Sequence, residues 1–209
     1  LLIAASNAPD DPLIKDQIAD LLEKAEDPSD ALSLYRSVAA RRDAPLAALE
    51  GAGRTAFHMG LYRVANGYLS RALSQPGAAS LPPDEKAADQ YMVNTASHIL
   101  LIFPSLDLPP HSRAERILYL RKVARNRLST CTTSNAAAAP KLAAILSRWD
   151  QLPSQLQVTQ LEQQPDLENS LVQLAWDTET ATAPICGPPS GDDALLLRIA
   201  QNPGAVEQE

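Results

Sequence analysis

The feature that most constrains the fold is the stretch from Leu49 to Gly77, which reads LEGAGRTAFHMGLYRVANGYLSRALSQPG. Its apolar residues recur at helical spacing on both sides of Gly60, which predicts two helices joined by a tight turn at that glycine. Gly53 stands where the two helices would cross, and a residue without a Cβ allows the two backbones to approach closely. The stretch therefore predicts a helical hairpin.

A looser copy of this hairpin lies upstream. Small and apolar residues of the two copies stand 34 residues apart. A helix–turn–helix unit of this length cannot bury its apolar face alone and stacks on the next unit, which predicts a repeat array. The pairs are Ile18 and Ala52, Ala19 and Gly53, Leu22 and Ala56, Ala31 and Ala65, Tyr35 and Leu69, Val38 and Ala72, and Ala39 and Leu73.

The second copy resembles the tetratricopeptide repeat (TPR) family. Gly60 matches the turn glycine of that family, Tyr62 matches the aromatic residue that opens the second helix, and Pro76 falls within one residue of the terminating proline. The first copy departs from the pattern, because Glu26 stands at the position of the turn glycine and Pro28 at that of the aromatic residue.

The resemblance covers residues 13–77 and implies an all-α array of helical hairpins, an α-solenoid. The low aromatic content of 4% also favours helices packed through small side chains over a β-sandwich. A stretched third hairpin is predicted from the helical patterns of residues 84–103 and 111–129. We predict TPR-like repeats over residues 1–129 and, packed on them, an irregular helical C-terminal extension over residues 130–209.

Within this extension the predicted elements are less regular. A helix is expected to reach Leu152 with Pro140 in its first turn, and residues 154–164 fit either a strand or a helix. A further helix is expected from Pro165 to Thr180, followed by irregular structure over residues 181–191. The acidic pair Asp192 and Asp193 is then expected to cap a last helix, Ala194 to Gln201.

The two cysteines, Cys131 and Cys186, are expected in loops. Their spacing fits neither a metal site nor a C-x-x-C redox motif, and we predict a structural disulfide, which implies an oxidising compartment. The alternative is two unrelated free thiols in a cytoplasmic protein. The chain begins with Leu1, and residues 1–5 are interpreted as the stub of a removed signal or anchor segment. The predicted location is extracytoplasmic (periplasmic or envelope-associated).

Charge is distributed unevenly along the chain, whose net charge is −7. Residues 113–127 carry six basic side chains and one acid, whereas residues 150–209 carry ten acids and one base. These segments either pair within the molecule or form two separate solvated faces. The overall acidity disfavours nucleic acid as a partner, and no stretch of the body is long and apolar enough to span a membrane.

Nothing in the sequence indicates catalysis. The three histidines have no metal-ligand spacing, no phosphate-binding glycine motif occurs, and the run from Gly187 to Gly191 lacks the spacing of a nucleophile elbow. We predict a non-catalytic protein without a cofactor or a metal.

In TPR proteins the first helix of each pair lines the groove in which ligands bind. The resemblance thus implies a groove lined mostly by acidic residues, which would prefer a basic or mixed-charge segment. Phe57 and Tyr91 are either apolar anchors in this groove or packing residues between helices. The candidate partner-binding residues are Asp16, Asp20, Glu50, Arg54, Phe57, His58 and Tyr91.

The predicted function is that of a protein–protein interaction scaffold, whose partner is another protein or a peptide segment. Bacterial envelope assembly and secretion factors of this repeat class are the nearest analogy. Two alternatives stay open: the protein's own C-terminal residues fill the groove, or the chain is a structural subunit that forms homo-oligomers.

Overall fold

A computed structural model describes residues 11–207, and the regular structure of these residues is entirely helical, with no β-strand, which confirms the all-α class. The interpreted signal or anchor stub, residues 1–5, lies outside the described residues. A 3₁₀ turn occupies Pro76–Ser80. The α-helices are α1 Pro12–Lys24, α2 Pro28–Ala39, α3 Leu46–His58, α4 Tyr62–Leu73, α5 Pro83–Ile102, α6 Pro110–Ser134, α7 Ala138–Lys141, α8 Ala143–Asp150, α9 Val158–Leu161, α10 Pro165–Cys186, α11 Gly191–Gln201 and α12 Pro203–Glu207.

Contacts divide the described chain into two compact units, the first ending at Leu100 and the second running from Leu101 to Glu207. The boundary between them falls within α5. The boundary that the sequence predicts, between residues 129 and 130, falls inside α6, which continues to Ser134.

In unit 1, aspartate followed by proline starts each of the first two helices. The Oδ1 atom of Asp11 accepts from the backbone N–H of Leu13 at 2.9 Å, and that of Asp27 accepts from the N–H of Asp30 at 3.3 Å. Pro12 and Pro28 follow as the first helical residues, where a missing N–H is tolerated. Asp27 is therefore the cap of α2.

The turns that end α1 and α3 have the same backbone geometry. The N–H of Asp27 bonds to the carbonyl of Leu22 at 2.9 Å, and 34 residues later the N–H of Leu61 bonds to that of Ala56, also at 2.9 Å. Between them, Glu26 has φ +60° and Gly60 has φ +82°. A left-handed residue with this 6→1 bond is the Schellman ending of a helix.

Small residues allow the helices of unit 1 to pack closely. A Cβ at Gly53 of α3 would lie under 3.0 Å from two side-chain atoms of Leu69 and 3.1 Å from its backbone nitrogen on α4. Gly51 stands in the same relation to the ring of Tyr35 on α2, a second close approach that the sequence analysis did not identify. Thirteen of the fourteen residues in the pairs separated by 34 positions are buried, the exception being Leu73.

Unit 2 is built around α6 and α10. Buried side chains of α6, among them Ile117, Leu120 and Leu128, pack in a core to which α10 contributes Leu171 and Leu174. A disulfide joins Cys131 on α6 to Cys186 at the end of α10, with a Cα–Cα distance of 5.6 Å. Both cysteines therefore lie on helices and not in loops as expected, but the predicted pairing is present.

Basic side chains of α6 bind to neighbouring segments of unit 2. Arg116 donates to the carbonyl of Phe103 at 2.7 Å, and Arg127 donates to that of Gly187 at 2.5 Å. Arg113 forms a salt bridge of 3.0 Å with Glu168 in the acidic segment. Of the two alternatives for the uneven charge, the structure shows the intramolecular one for Arg113.

Several element boundaries in unit 2 differ from the sequence predictions. The helix α11 begins at Gly191 and not at Ala194, so Asp192 and Asp193 lie in its first turn and do not cap it. The helix expected to run to Leu152 is divided at Leu142, so that Pro140 lies in a separate short helix. Residues 154–164, which also fitted a strand, contain the single helical turn α9. The helix α10 continues through Pro184 to Cys186, where irregular structure was expected. Packing and the disulfide evidently outweigh the helix-breaking tendency of this proline.

Candidate functional site

Acidic side chains form a row across α1, α3 and α5 of unit 1. Residues three or four positions apart lie on one face of a helix, and the row uses this spacing on each of the three helices. We refer to six carboxyl groups as the acidic row: Asp16, Asp20 and Glu23 on α1, Glu50 on α3, and Glu85 and Asp89 on α5.

The α1 part of the row is fixed by hydroxyl groups from α2 and α3. The buried Tyr35 donates its hydroxyl to Oδ1 of Asp20 at 2.5 Å, and the hydroxyl of Thr55 contacts the carboxylate of Glu23. Burial, followed by the hydrogen bond to Asp20 and by nearby carboxylates, raises the pKa of Tyr35, so that it stays a neutral donor. These bonds connect the first three helices.

One carboxyl oxygen of Asp16 lacks a bond of this kind. Within residues 11–207 its buried Oδ1 atom has no hydrogen-bond partner. Burial, followed by repulsion from Asp20, raises the pKa of Asp16. A nearby cation would therefore stabilise the charged form of this carboxyl group.

Arg54 on α3 links the rest of the row. Its Nε and Nη2 atoms bind the two oxygens of Asp89 on α5 at 2.6 and 3.0 Å, a bidentate geometry of the strong kind. The same Nη2 atom lies 3.6 Å from Glu50 and 3.8 Å from Glu85. Asp89 is fully buried, so Arg54 compensates a charge that could not be buried alone.

The carboxyl group of Glu50 is held close to half-protonation at neutral pH. Burial is the main cause that raises its pKa to about 7, and a hydrogen bond to Asp89 adds to the shift, whereas Arg54 opposes it. The guanidinium of Arg54 lies beside both carboxyl groups.

The structure brings five of the seven predicted partner-binding residues to this row or its edge. Glu50, Arg54 and His58 follow one another at four-residue spacing on α3, and His58 is exposed at the end of the helix. Asp16 and Asp20 lie together on α1.

The other two predicted residues do not belong to the row. Phe57 is 3% exposed and lies edge-on to Tyr62, with ring centroids 5.6 Å apart, so it is a packing residue and cannot anchor a partner in this conformation. Tyr91 is exposed, but it stands two residues beyond Asp89, which places it about 200° around α5 from the row.

Four residues that position the row were missed as site residues by the sequence analysis: Tyr35, Thr55, Glu85 and Asp89. The sequence gives a weak indication that the two acids of α5 act together, because Glu85 and Asp89 are four residues apart in the first half of a helix and thus lie on one face. Their partner Arg54 could not be assigned without knowing that α5 lies beside α3.

A second buried carboxyl pair lies in unit 2. Glu179 on α10 is fully buried, and within the described chain no group donates a hydrogen bond to either of its oxygens. Burial, followed by the charge of Asp193 on α11, raises its pKa to about 8, whereas Arg127 on α6 acts in the opposite direction. Glu179 is therefore held protonated at neutral pH, close to the carboxyl group of Asp193. Nothing in the sequence distinguished it from a surface glutamate.

Among the described residues, no group of three or more histidine, cysteine or acidic side chains is arranged to hold a metal ion. None of the described helices combines the length and the apolar character needed to span a bilayer. No protein-family model, no curated protein and no solved structure matches the chain.

Proposed function

We propose that the protein is a non-catalytic protein–protein interaction scaffold of the tetratricopeptide type, in which the acidic row receives a basic or mixed-charge segment of another protein. The observation that carries the proposal is the row itself, six carboxyl groups on three successive first helices. The equivalent turns at Glu26 and Gly60 support the repeat interpretation on which this choice of helices depends.

Within the row, buried and exposed members have different roles. Asp89 and Glu50 are buried and hold Arg54, so they fix the arrangement of α3 and α5. Asp20, Glu23 and Glu85 are exposed, and they are the side chains that a basic segment would contact. Interactions of this exposed kind steer a partner and set its charge preference more than they raise affinity.

The test uses the full chain and two fluorescent peptides of equal length, one rich in lysine and arginine and one rich in glutamate. We expect binding of the basic peptide only, with affinity that falls as salt is added. Neutralising three exposed row residues should weaken binding roughly tenfold, because each exposed charge contributes up to about 1 kcal/mol. The row variant combines Asp20→Asn, Glu23→Gln and Glu85→Gln.

A matched control variant makes the same change in net charge away from the row. It combines Asp107→Asn, Glu115→Gln and Asp150→Asn, all exposed residues of unit 2. Binding of the basic peptide should be almost unchanged in this control. Equal losses in the two variants would show that the peptide responds to net charge alone, and the acidic row would then not be the binding site.

A second candidate function, a homo-oligomerising subunit, is favoured by one observation. Leu13 and Leu21 on α1 are 64% and 48% exposed, which leaves apolar surface on the first described helix. Light scattering across a range of concentrations tests it: a mass that stays at 22.5 kDa excludes this function. If a dimer forms, Leu13→Gln with Leu21→Gln should return it to a monomer.

An extracytoplasmic location forms part of the proposal. It is supported by the Cys131–Cys186 pair, because structural disulfides persist in oxidising compartments. The decisive measurement is the mass of the natively isolated protein after alkylation without reductant. No added alkyl group is expected, and two added groups would favour the cytoplasmic alternative.

A further inference from the structure

A short connector joins α10 to α11 in unit 2. It runs from Gly187 to Ser190 and has no regular structure. Gly187 and Gly191, at its two ends, have left-handed backbones with φ of +84° and +56°, and a Cβ at either position would meet nothing within 4 Å. The disulfide at Cys186 fixes the end of α10 immediately before the connector. The two glycines therefore allow α11 to rotate while α10 stays in place.

Apolar packing holds α11 on the rest of unit 2. Leu196 and Ile199 of α11 are fully buried, and the helix packs against α10 and α6. The hydroxyl of Tyr119 on α6 also contacts the carboxylate of Asp192 in the first turn of α11. Because these contacts are few, a repulsive charge at the interface between α10 and α11 would act directly against them.

The carboxyl group of Glu179 on α10 lies at this interface. It is fully buried, and within residues 11–207 neither of its oxygens has a hydrogen-bond partner. The charged groups that act on it are Asp193 on α11 and Arg127 on α6. Charged side chains on the shorter helices packed against α10 are bound elsewhere or exposed: Arg148 is bound to Asp177, Glu162 to His111, and Asp150 is exposed.

One guanidinium group lies near two carboxyl groups here. Nη2 of Arg127 donates to the carbonyl of Gly187 at 2.5 Å, and its buried Nε has no acceptor within the described chain. Arg127 can compensate one negative charge, but not those of Glu179 and Asp193 together. Burial, followed by the charge of Asp193, raises the pKa of Glu179 to about 8, so the proton that prevents this repulsion is lost slightly above neutral pH.

We propose that Glu179 controls the position of α11 by its protonation: when the carboxyl group ionises, α11 detaches from α10 by rotation at Gly187 and Gly191. Detachment moves Asp193 away and leaves ionised Glu179 with Arg127 and water. It also exposes the apolar face of α11 that is buried in the closed state. The helix is thus closed at acidic and neutral pH and opens as the pH rises, independently of the acidic row in unit 1.

Trypsin can measure this detachment in the full chain. Arg198 in α11 is the only lysine or arginine beyond residue 148, and cleavage after it requires α11 to leave its packed position. When α11 recloses faster than it is cut, the cleavage rate follows the population of the detached state. The rate is obtained by mass spectrometry, from the release of residues 199–209, for the wild type and for Glu179→Gln between pH 6 and pH 9.

The ratio of the wild-type rate to the Glu179→Gln rate cancels the pH dependence of trypsin itself. This ratio should rise about tenfold per pH unit and level off near pH 8, because Glu179 ionises at its ordinary, lower pH in the detached state. Asp193→Asn removes the repelling charge, so its rate should level off at a lower pH. Glu168→Gln alters a buried glutamate of the same helix that is paired with Arg113, and this control should keep the wild-type pH dependence.

Cleavage after Arg121, in the middle of α6, distinguishes detachment of α11 from unfolding of the whole of unit 2, and it should stay slow at every pH. Three results would overturn the proposal: a rate ratio that does not change with pH, an equal rise of cleavage after Arg121 and Arg198, and the same pH dependence in Asp193→Asn as in the wild type. Thermal melts establish that the variants are folded. If Glu179→Gln does not fold, the comparison of Asp193→Asn with the wild type decides.

Discussion

Glu26 and Gly60 occupy equivalent turns, and both adopt the left-handed backbone region, with φ of +60° and +82°. For glycine this conformation is free of strain, whereas a residue with a Cβ loses about 1–2 kcal/mol in it. The first turn keeps the geometry of the second although its residue is the less suitable one. The hydrogen bond from Asp27 to Leu22 and the packing of α1 on α2 hold it in place.

Replacing Glu26 by glycine should therefore stabilise the protein. We expect the free energy of unfolding to rise by about 0.5–1 kcal/mol, because the relief of strain exceeds the greater freedom of glycine in the unfolded chain. Urea denaturation measures the change. Gly60→Ala should lower the stability, and Lys24→Gly, within the helix α1, serves as the control and should lower it too. A loss of stability in Glu26→Gly would contradict the argument.

The protonated Glu179 predicts a pH dependence of stability. Its pKa is raised to about 8 in the folded protein from an ordinary value near 4.5, so folding takes up a proton between these two values. The stabilisation from this group is complete below pH 4.5 and is lost as the pH rises toward 8, by about 1.4 kcal/mol per pH unit. Glu179→Gln keeps a donor toward Asp193 but does not titrate.

The measurement is urea unfolding of the wild type and of Glu179→Gln from pH 5 to pH 9. The stability of the wild type relative to the variant should decrease up to about pH 8 and then become constant. Asp193 and Arg127 are present in both proteins, so the difference reports on Glu179 together with its effect on Asp193. A difference that does not change with pH would show that the group is ionised in the folded protein.

Of these residues, some could be predicted from the sequence and others could not. The turn at Gly60 was predicted because turn geometry depends on neighbours along the chain. Glu179 was not, because its burial depends on Arg127 and Asp193, which approach it only through the packing of α6 and α11 on α10.

At the scale of helices, the crossing of α3 and α4 depends on the absence of a side chain at Gly53. Any Cβ there would meet Leu69, including its backbone nitrogen, which cannot rotate away. Gly67 lies on α4 too, but a Cβ at that position would meet nothing within 4 Å. The two glycines therefore separate the effect of packing from that of helix propensity.

Gly53→Ala should lower the free energy of unfolding by about 1–3 kcal/mol, since the added methyl group forces α3 and α4 apart. Gly67→Ala is the matched control and should raise it by about 0.5–1 kcal/mol, because alanine favours the helix more than glycine does. Denaturant titration followed by circular dichroism measures both. If the two changes had the same sign, the close approach at Gly53 would not limit the packing.

Helix boundaries were predictable where they depend on local capping and less so elsewhere. Asp27 and Pro28 mark the start of α2 in the sequence and in the structure. The break at Leu142 and the passage of α10 through Pro184 carry no comparable local signal. They depend on the packing of short helices in unit 2, and tertiary contacts of this kind override local preference.

For the whole molecule, the division into two units gives the disulfide a localised role. Cys131 and Cys186 both belong to unit 2, and the loop that they close spans 55 residues of that unit. The pairing was predictable because the chain has only two cysteines. The units were not, since a boundary inside the continuous helix α5 has no signal in the sequence.

Reduction of the disulfide should weaken unit 2 selectively. On the chain-entropy account, a closed loop of this length contributes about 4 kcal/mol, which is lost when the loop opens. Hydrogen exchange measured by mass spectrometry should therefore show faster exchange in α6 and α10 after reduction and alkylation, with α3 and α4 protected as before. Gly53→Ala provides the reciprocal control, because it should speed exchange in α3 and α4 and leave α6 and α10 unchanged. Equal acceleration in all four helices under either treatment would mean that the two units unfold together as one cooperative body. The disulfide would then stabilise both units and not unit 2 alone.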